Sequence, residues 1–172
     1  GGCLASRGRK EFFNKFNQAT NAQVFGRLYR WLFDQLQVYR LTLDLDSTVM
    51  TRYGAQAGAA KGYNPRRRGR LSHHPLMAFV ADLRLIANCW LRPGNTASGH
   101  NVAAFLETTL HHLGEKRVGL LRADSGFSDA AFLGLLEDKA LPYIVALKLN
   151  QPLQRALVGA SGWWRLDTGI DL

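Results

Sequence analysis

Asp44 and Asp46 stand two residues apart in Leu41-Thr-Leu-Asp-Leu-Asp-Ser-Thr-Val-Met50, and Asp124 ends a second apolar run, Val118-Gly-Leu-Leu-Arg-Ala-Asp124. A carboxylate carried on a core strand needs a cation or a proton to be tolerable. Two or three carboxylates converging at neighbouring strand ends offer hard oxygen ligands to magnesium. Paired ions about 4 Å apart can activate an attacking oxygen and stabilise a leaving one in phosphodiester cleavage. On that chemistry Asp46 is the bridging ligand and Asp124 binds one metal. Asp44 is then either a supporting group or a hydrogen-bonded structural carboxylate.

A rival chemistry fits the same letters. Asp44-Leu-Asp-Ser-Thr48 resembles the DxDxT signature of haloacid-dehalogenase-type phosphatases. That likeness would make Asp44 the nucleophile, Asp46 the general acid/base, and Asp124 with Asp129 the magnesium ligands. Three features oppose it. Such a phosphatase needs a strand ending in Ser or Thr and a lysine before the second acidic motif, where only Lys116 is near. Its doubly wound core needs helical crossovers between parallel strands, whereas 76–91 reads as a hairpin. A small-molecule phosphatase also has no use for Arg66-Arg-Arg-Gly-Arg70.

Other reactive residues form no comparable set. His73, His74, His100, His111 and His112 lack zinc-ligand spacing. The His111-His112 pair falls at a helix end, where a protonated histidine suits the dipole. Ser47 and Ser125 sit in no nucleophile elbow. Cys3 and Cys89 are too few and too distant for a disulfide framework.

The elements that must position the acids follow from periodicity. Leu41, Leu43 and Leu45 alternate with Thr42, Asp44 and Asp46, a strand over 41–50 with one apolar face. The segment 76–91 divides into strands at about 76–81 and 85–91 around Asp82-Leu-Arg84. Ser98 is the expected cap of a helix with Val102, Phe105, Leu106, Thr109, Leu110 and Leu113 on one face, closed by Gly114. Strand 118–124 follows, then a helix capped by Ser128, then strand 143–148. Upstream, 11–36 reads as two helical pieces. The first carries Phe12, Phe13 and Phe16. The second starts at a Thr20/Gln23 capping box and has an apolar stripe of Val24, Leu28, Trp31, Leu32 and Leu36.

This order, a strand meander followed by alternating helices and strands, is that of the ribonuclease-H-like fold. It predicts an α/β mixed sheet with the first and fourth strands adjacent, which would bring Asp46 beside Asp124. We divide the chain into a lead-in and helices over 1–38, a partial catalytic core over 39–150, and the start of a β-rich insertion over 151–172. The opening Gly1 and the strand-like end at Leu172 suggest a fragment of a longer protein.

The 22 Lys and Arg against 13 Asp and Glu leave a net charge of +9, which favours a polyanionic partner, nucleic acid before membrane. No run approaches the ~18 apolar residues of a membrane span. The glycine-rich stretch 51–75 holds Arg52, Lys61, Arg66, Arg67, Arg68 and Arg70 with Tyr53 and Tyr63 interleaved, a candidate DNA-binding surface.

Taken together, these motifs resemble the DDE transposases of bacterial insertion sequences, most closely the family numbered thirteen-eighty. Asp46-Ser-Thr48 resembles its first-acid motif and Arg122-Ala-Asp124-Ser-Gly-Phe127 its second. Lys61-Gly-Tyr-Asn-Pro65, Gly69-Arg70, Ser72-His-His-Pro75 and Arg92-Pro-Gly-Asn95 resemble the sequence between them. The likeness runs from about Phe12 to Lys148.

The resemblance implies magnesium- or manganese-dependent cleavage of terminal inverted repeats and strand transfer into target DNA, by a two-metal site. It implies Asp46 and Asp124 as catalytic metal ligands, a homodimer in the full-length protein, and a cytoplasmic, nucleoid-associated location. The family's third acid is a glutamate in a Y-x2-R-x3-E context, which is absent here. Glu137 is the only glutamate after Asp124. The expectation is therefore a fragment inactive on its own, with a non-catalytic nucleic-acid-binding remnant as a further alternative.

Overall fold

The strand that carries the acids lies at the centre of the sheet. In the computed structural model, which describes residues 17–162, 165–167 and 170–171, β1 (Arg40–Ser47) has neighbours on both sides. The β5–β6 hairpin (Leu76–Val80 and Leu85–Trp90) flanks it antiparallel on one side. On the other side β7 (Arg117–Ala123) and β8 (Tyr143–Val145) run parallel to it. The five-stranded order β6-β5-β1-β7-β8 is the ribonuclease-H-like arrangement expected from the element order.

The helices occupy the connections. They are α1 (Gln18–Asp34) before β1, α2 (Val102–Leu113) between β6 and β7, and α3 (Ala130–Asp138) between β7 and β8. A fourth, α4 (Gln151–Gly159), follows β8 and precedes a hairpin of β9 (Arg165–Asp167) and β10 (Ile170–Asp171). The lead-in at 1–10, the piece holding Phe12, Phe13 and Phe16, and parts of 163–172 lie outside the described residues.

Alternation along β1 decides which face is covered. Leu41, Leu43 and Leu45 are buried against Phe105, Leu106, Leu113, Phe127 and Leu136. Each such apolar side chain contributes about 2 kcal/mol on leaving water. Thr42, Asp44 and Asp46 take the opposite face. Buried polar groups within the core are paired: Asn88 donates Nδ2 to Thr109 Oγ1 at 3.1 Å, and Thr109 donates to the Phe105 carbonyl at 2.7 Å.

A bulge in β7 and the hairpin turn between β5 and β6 shape the sheet beside β1. Leu41 pairs with Val118 but Thr42 with Leu120, leaving Gly119 as an extra residue in β7. A Cβ at Gly119 would collide with the Arg40 side chain, so glycine suits the bulge. The hairpin turn without Gly or Pro closes through Arg84 at φ 54, and Asp82 accepts the Thr42 amide at 2.7 Å.

Several local expectations are corrected. β1 stops at Ser47, and Met50–Thr51 forms β2 of a separate sheet with β3 (Ala60–Lys61) and β4 (Leu71–His73), in the order β2-β4-β3. Asn17 caps α1 through its side chain and the Thr20 amide, so that helix begins earlier than the Thr20/Gln23 box. Asn101, in a left-handed conformation, and not Ser98, precedes α2. Asp129, whose carboxylate takes the Ala131 and Phe132 amides, caps α3 in place of Ser128.

Of the expected stripe on α1 and just beyond it, Val24, Leu28 and Trp31 are exposed, Leu32 is half-buried and Leu36 packs against the core. The row that packs holds Gly26, Tyr29 and Phe33, with Gly26 and Tyr29 facing His112 and Phe33 buried in the core. Tyr29 stacks on that imidazole at 4.8 Å. His112 is consequently buried, and desolvation pushes its pKa down, so it does not serve as a charged helix end.

Candidate active site

The C-terminal ends of β1 and β7 bring Asp46 and Asp124 together. Their register runs through Asp44↔Arg122 and Leu45↔Ala123, so the next residue on each strand is one of the two aspartates. Adjacent strands lie about 4.8 Å apart. Both side chains are exposed. Asp46 Oδ1 accepts the Ser47 amide at 2.7 Å, and Asp124 Oδ1 accepts the Gly126 amide at 2.9 Å. The second turn is tight. A Cβ at Gly126 would lie 2.9 Å from Ser98 Cβ and 3.0 Å from Asp124 Oδ1.

Asp44 has a different occupation. Arg122 grips it with both arms, Nε to Oδ1 at 2.6 Å and Nη2 to Oδ2 at 2.7 Å. That contact raises the Arg122 pKa, chiefly through the hydrogen bond itself. A carboxylate so held is a poor nucleophile. Asp129 is spent on capping α3, so both residues particular to the phosphatase reading have structural work. Glu137 accepts from Tyr143 Oη at 2.9 Å, where β8 begins level with Leu121, away from the strand ends that carry the acids.

Arg92 braces the site from within. It is 6 % exposed, and burial lowers its pKa. Its Nε donates to the His74 carbonyl at 3.1 Å. Its Nη1 reaches the carbonyls of Ser98 at 3.2 Å and His100 at 2.8 Å, and its Nη2 reaches Ser47 Oγ at 3.0 Å. Ser47 directly follows Asp46, so the guanidinium ties the first acid's strand end to the loop over 92–100. In sequence Arg92-Pro-Gly-Asn95 reads as a turn and as part of the family resemblance, and neither gives a sign that the arginine is a buried hub.

The basic stretch is attached to the same framework. Gly62 and Gly94 meet backbone to backbone: a Cβ on Gly62 would strike the Gly94 carbonyl, and one on Gly94 would strike Ser72 and the Ala60 carbonyl. Asn64 is buried, donating Nδ2 to Thr51 Oγ1 at 2.8 Å and accepting the Arg67 amide at 2.9 Å. From this support Lys61, Arg66, Arg67, Arg68 and Arg70 project into solvent, with no ion pair among the described residues. Arg52 is more committed. Its Nε donates to His73 Nδ1 at 2.9 Å, which leaves His73 Nε2 to donate to the Ala57 carbonyl at 3.1 Å.

Comparison with known families decides the assignment. The family described as Transposase DDE domain group 1 matches residues 8–162. The chain belongs to that family. No curated protein matches this transposase domain. Among solved structures it is similar to a piggyBac transposase synaptic complex with hairpin DNA, at TM-score 0.48 and 12 % identity over 70 % of this chain. It is similar to the catalytic core domain of BIV integrase, at TM-score 0.38 and 13 % identity over 68 % of this chain. A Mos1 transposase paired-end complex gives TM-score 0.45 and 12 % identity over 74 % of this chain. The domain spans only 26 %, 61 % and 42 % of those three chains.

The donor set of this transposase domain suits a hydrated hard cation. Magnesium keeps several waters and uses one or two carboxylates, and Asp46 and Asp124 each leave their second oxygen free of protein partners among the described residues. No cluster of three or more His, Cys, Asp or Glu side chains able to hold a metal occurs among the described residues. No helix there is long and apolar enough to cross a membrane.

Proposed function

We propose that this domain is part of the catalytic core of a DNA transposase, with Asp46 and Asp124 as the first and second metal-binding carboxylates. The observation that carries the reading is the placement of both residues one position beyond Leu45↔Ala123, the last register pair of two adjacent parallel strands. Magnesium or manganese, bound as a pair in the complete site, would activate the attacking oxygen and stabilise the leaving oxygen of a phosphodiester. Asp46 and Asp124 supply the negative charge that holds the cations. The amides of Ser47 and Gly126 fix the carboxylate orientations. Lys61, Arg66, Arg67, Arg68 and Arg70 hold the DNA backbone beside them, with Arg52 contributing its terminal nitrogens.

The substrates are the element's terminal inverted repeats and target DNA, and the full-length protein acts as a homodimer in the bacterial cytoplasm, close to the nucleoid. The third acid of the complete site is not among the carboxylates placed here, and α4 with the β9–β10 hairpin, helical at first rather than β-rich, would open the insertion that separates it from them. Alone, the chain binds DNA without cutting it. Titration of Mn2+ monitored by its paramagnetic resonance tests the site: Asp46→Asn and Asp124→Asn are each expected to weaken binding at least about 10-fold. A divalent-dependent nicking assay on inverted-repeat DNA tests the rest, and full activity from this chain would contradict it.

A further inference from the structure

Tyr63 is 79 % exposed, yet it lies in the most tightly held part of the basic stretch. Gly62 before it is pressed on Gly94 and Asn95 with no space for a side chain. Asn64 after it is 4 % exposed and hydrogen-bonded on both ends of its amide, to Thr51 and Arg67. Pro65 restricts Asn64 further. An aromatic ring left in water on so constrained a backbone has already lost much of the freedom that binding would otherwise remove. On one side stands Lys61 and on the other Arg66, Arg67, Arg68 and Arg70.

We infer that Tyr63 is a stacking platform for an unpaired nucleobase of the DNA held by these cations. This rests on the DNA reading above and adds a distinct contact. Cations beside a pinned aromatic ring form the combination that grips single strands, because every base has a π-face while the backbone supplies charge. A base inside an intact duplex has no free face. The ring therefore selects an overhang, a frayed end or an extruded base. The connection to the acids is short in contacts: Gly62 on Gly94, Gly94 two residues from Arg92, and Arg92 on Ser47 beside Asp46.

The test uses the 172-residue chain and two DNA probes of identical duplex sequence, one blunt and one with a four-nucleotide overhang carrying 2-aminopurine. Wild type is expected to bind the overhang probe about 10-fold more tightly than the blunt one and to quench the 2-aminopurine, as one stacked base would give. Tyr63→Leu should abolish both the preference and the quench while leaving blunt-duplex affinity unchanged, and Tyr63→Phe should retain both. Arg67→Ala should weaken both probes alike and flatten the salt dependence. If Tyr63→Leu leaves the preference intact, or weakens both probes equally, the stacking role is wrong and the DNA reading stands. If wild type shows no salt-dependent binding to either probe, both fall.

Discussion

Replacing Arg92 by methionine removes the brace of the site while keeping most of its bulk. Four acceptors lose a charged donor: the carbonyls of His74, Ser98 and His100, and Ser47 Oγ. Leaving these acceptors unsatisfied, one buried and three part-buried, costs about 1 kcal/mol each at the low end. Against this sum of about 4 kcal/mol stands relief from burying a charge with no carboxylate partner among the described residues, worth about 1–2 kcal/mol once relaxation is included. The expected net loss is about 2–3 kcal/mol. Urea unfolding followed by tryptophan fluorescence reads it directly. With a slope of about 2 kcal/mol/M, the midpoint should fall by about 1–1.5 M without a change in slope. Arg92→Lys should recover less than half, since one ammonium cannot span four acceptors facing a planar fork. A methionine variant within about 0.5 kcal/mol of wild type would refute the argument that this guanidinium holds the strand end in place.

Gly62→Ala drives a methyl group into the Gly94 backbone and should cost about 2 kcal/mol or more in the same assay, with weaker retention of the protein on a heparin column. His112 gives stability a pH dependence of known sign. Burial, with smaller contributions from His111 and Arg30, lowers its folded pKa against the opposing Ala87 hydrogen bond. The unfolded chain therefore binds more protons below its ordinary value of about 6.5, and stability is full above that pH and declines beneath it. His112→Phe, which can keep the ring contact with Tyr29, should flatten the fall in melting temperature between about pH 7 and 5. Asp44→Asn should leave thermal stability nearly unchanged and abolish no phosphatase activity, because the Arg122 contact is solvent-exposed and the chain should hydrolyse no p-nitrophenyl phosphate to begin with.

The sheet was legible because its strands advertise themselves. Alternation in Leu41, Leu43 and Leu45, two apolar runs meeting at Asp82-Leu-Arg84, and acids at strand ends were enough to order it. What escaped detection was set by contacts between distant residues. Strands β2 and β3 are two residues long, too short for any period to register. The apolar rows of α1 look equivalent until His112 selects the one containing Gly26. Asn101 enters α2 through a left-handed conformation with no side-chain cap, and Asp129 outcompeted its neighbour Ser128 for the same role. The cluster around Arg92 was invisible for a related reason: its acceptors are three backbone carbonyls and one hydroxyl, groups that a reading of side-chain types passes over.

Gly119 marks the point at which the alternation of β7 is reset so that the two acids share a face. Strict alternation counted from Val118, which points to the core, would send Asp124 to the core face as well. The extra residue shifts the phase of β7 by one, so that Leu121 follows Val118 inside and Arg122 and Asp124 turn outward, in step with Asp44 and Asp46. The pairing of the two carboxylates is thus a matter of parity. Single-residue insertions or deletions between Leu120 and Asp124 would put the second acid out of phase with the first, whereas loss of Gly119 itself would leave the phase intact.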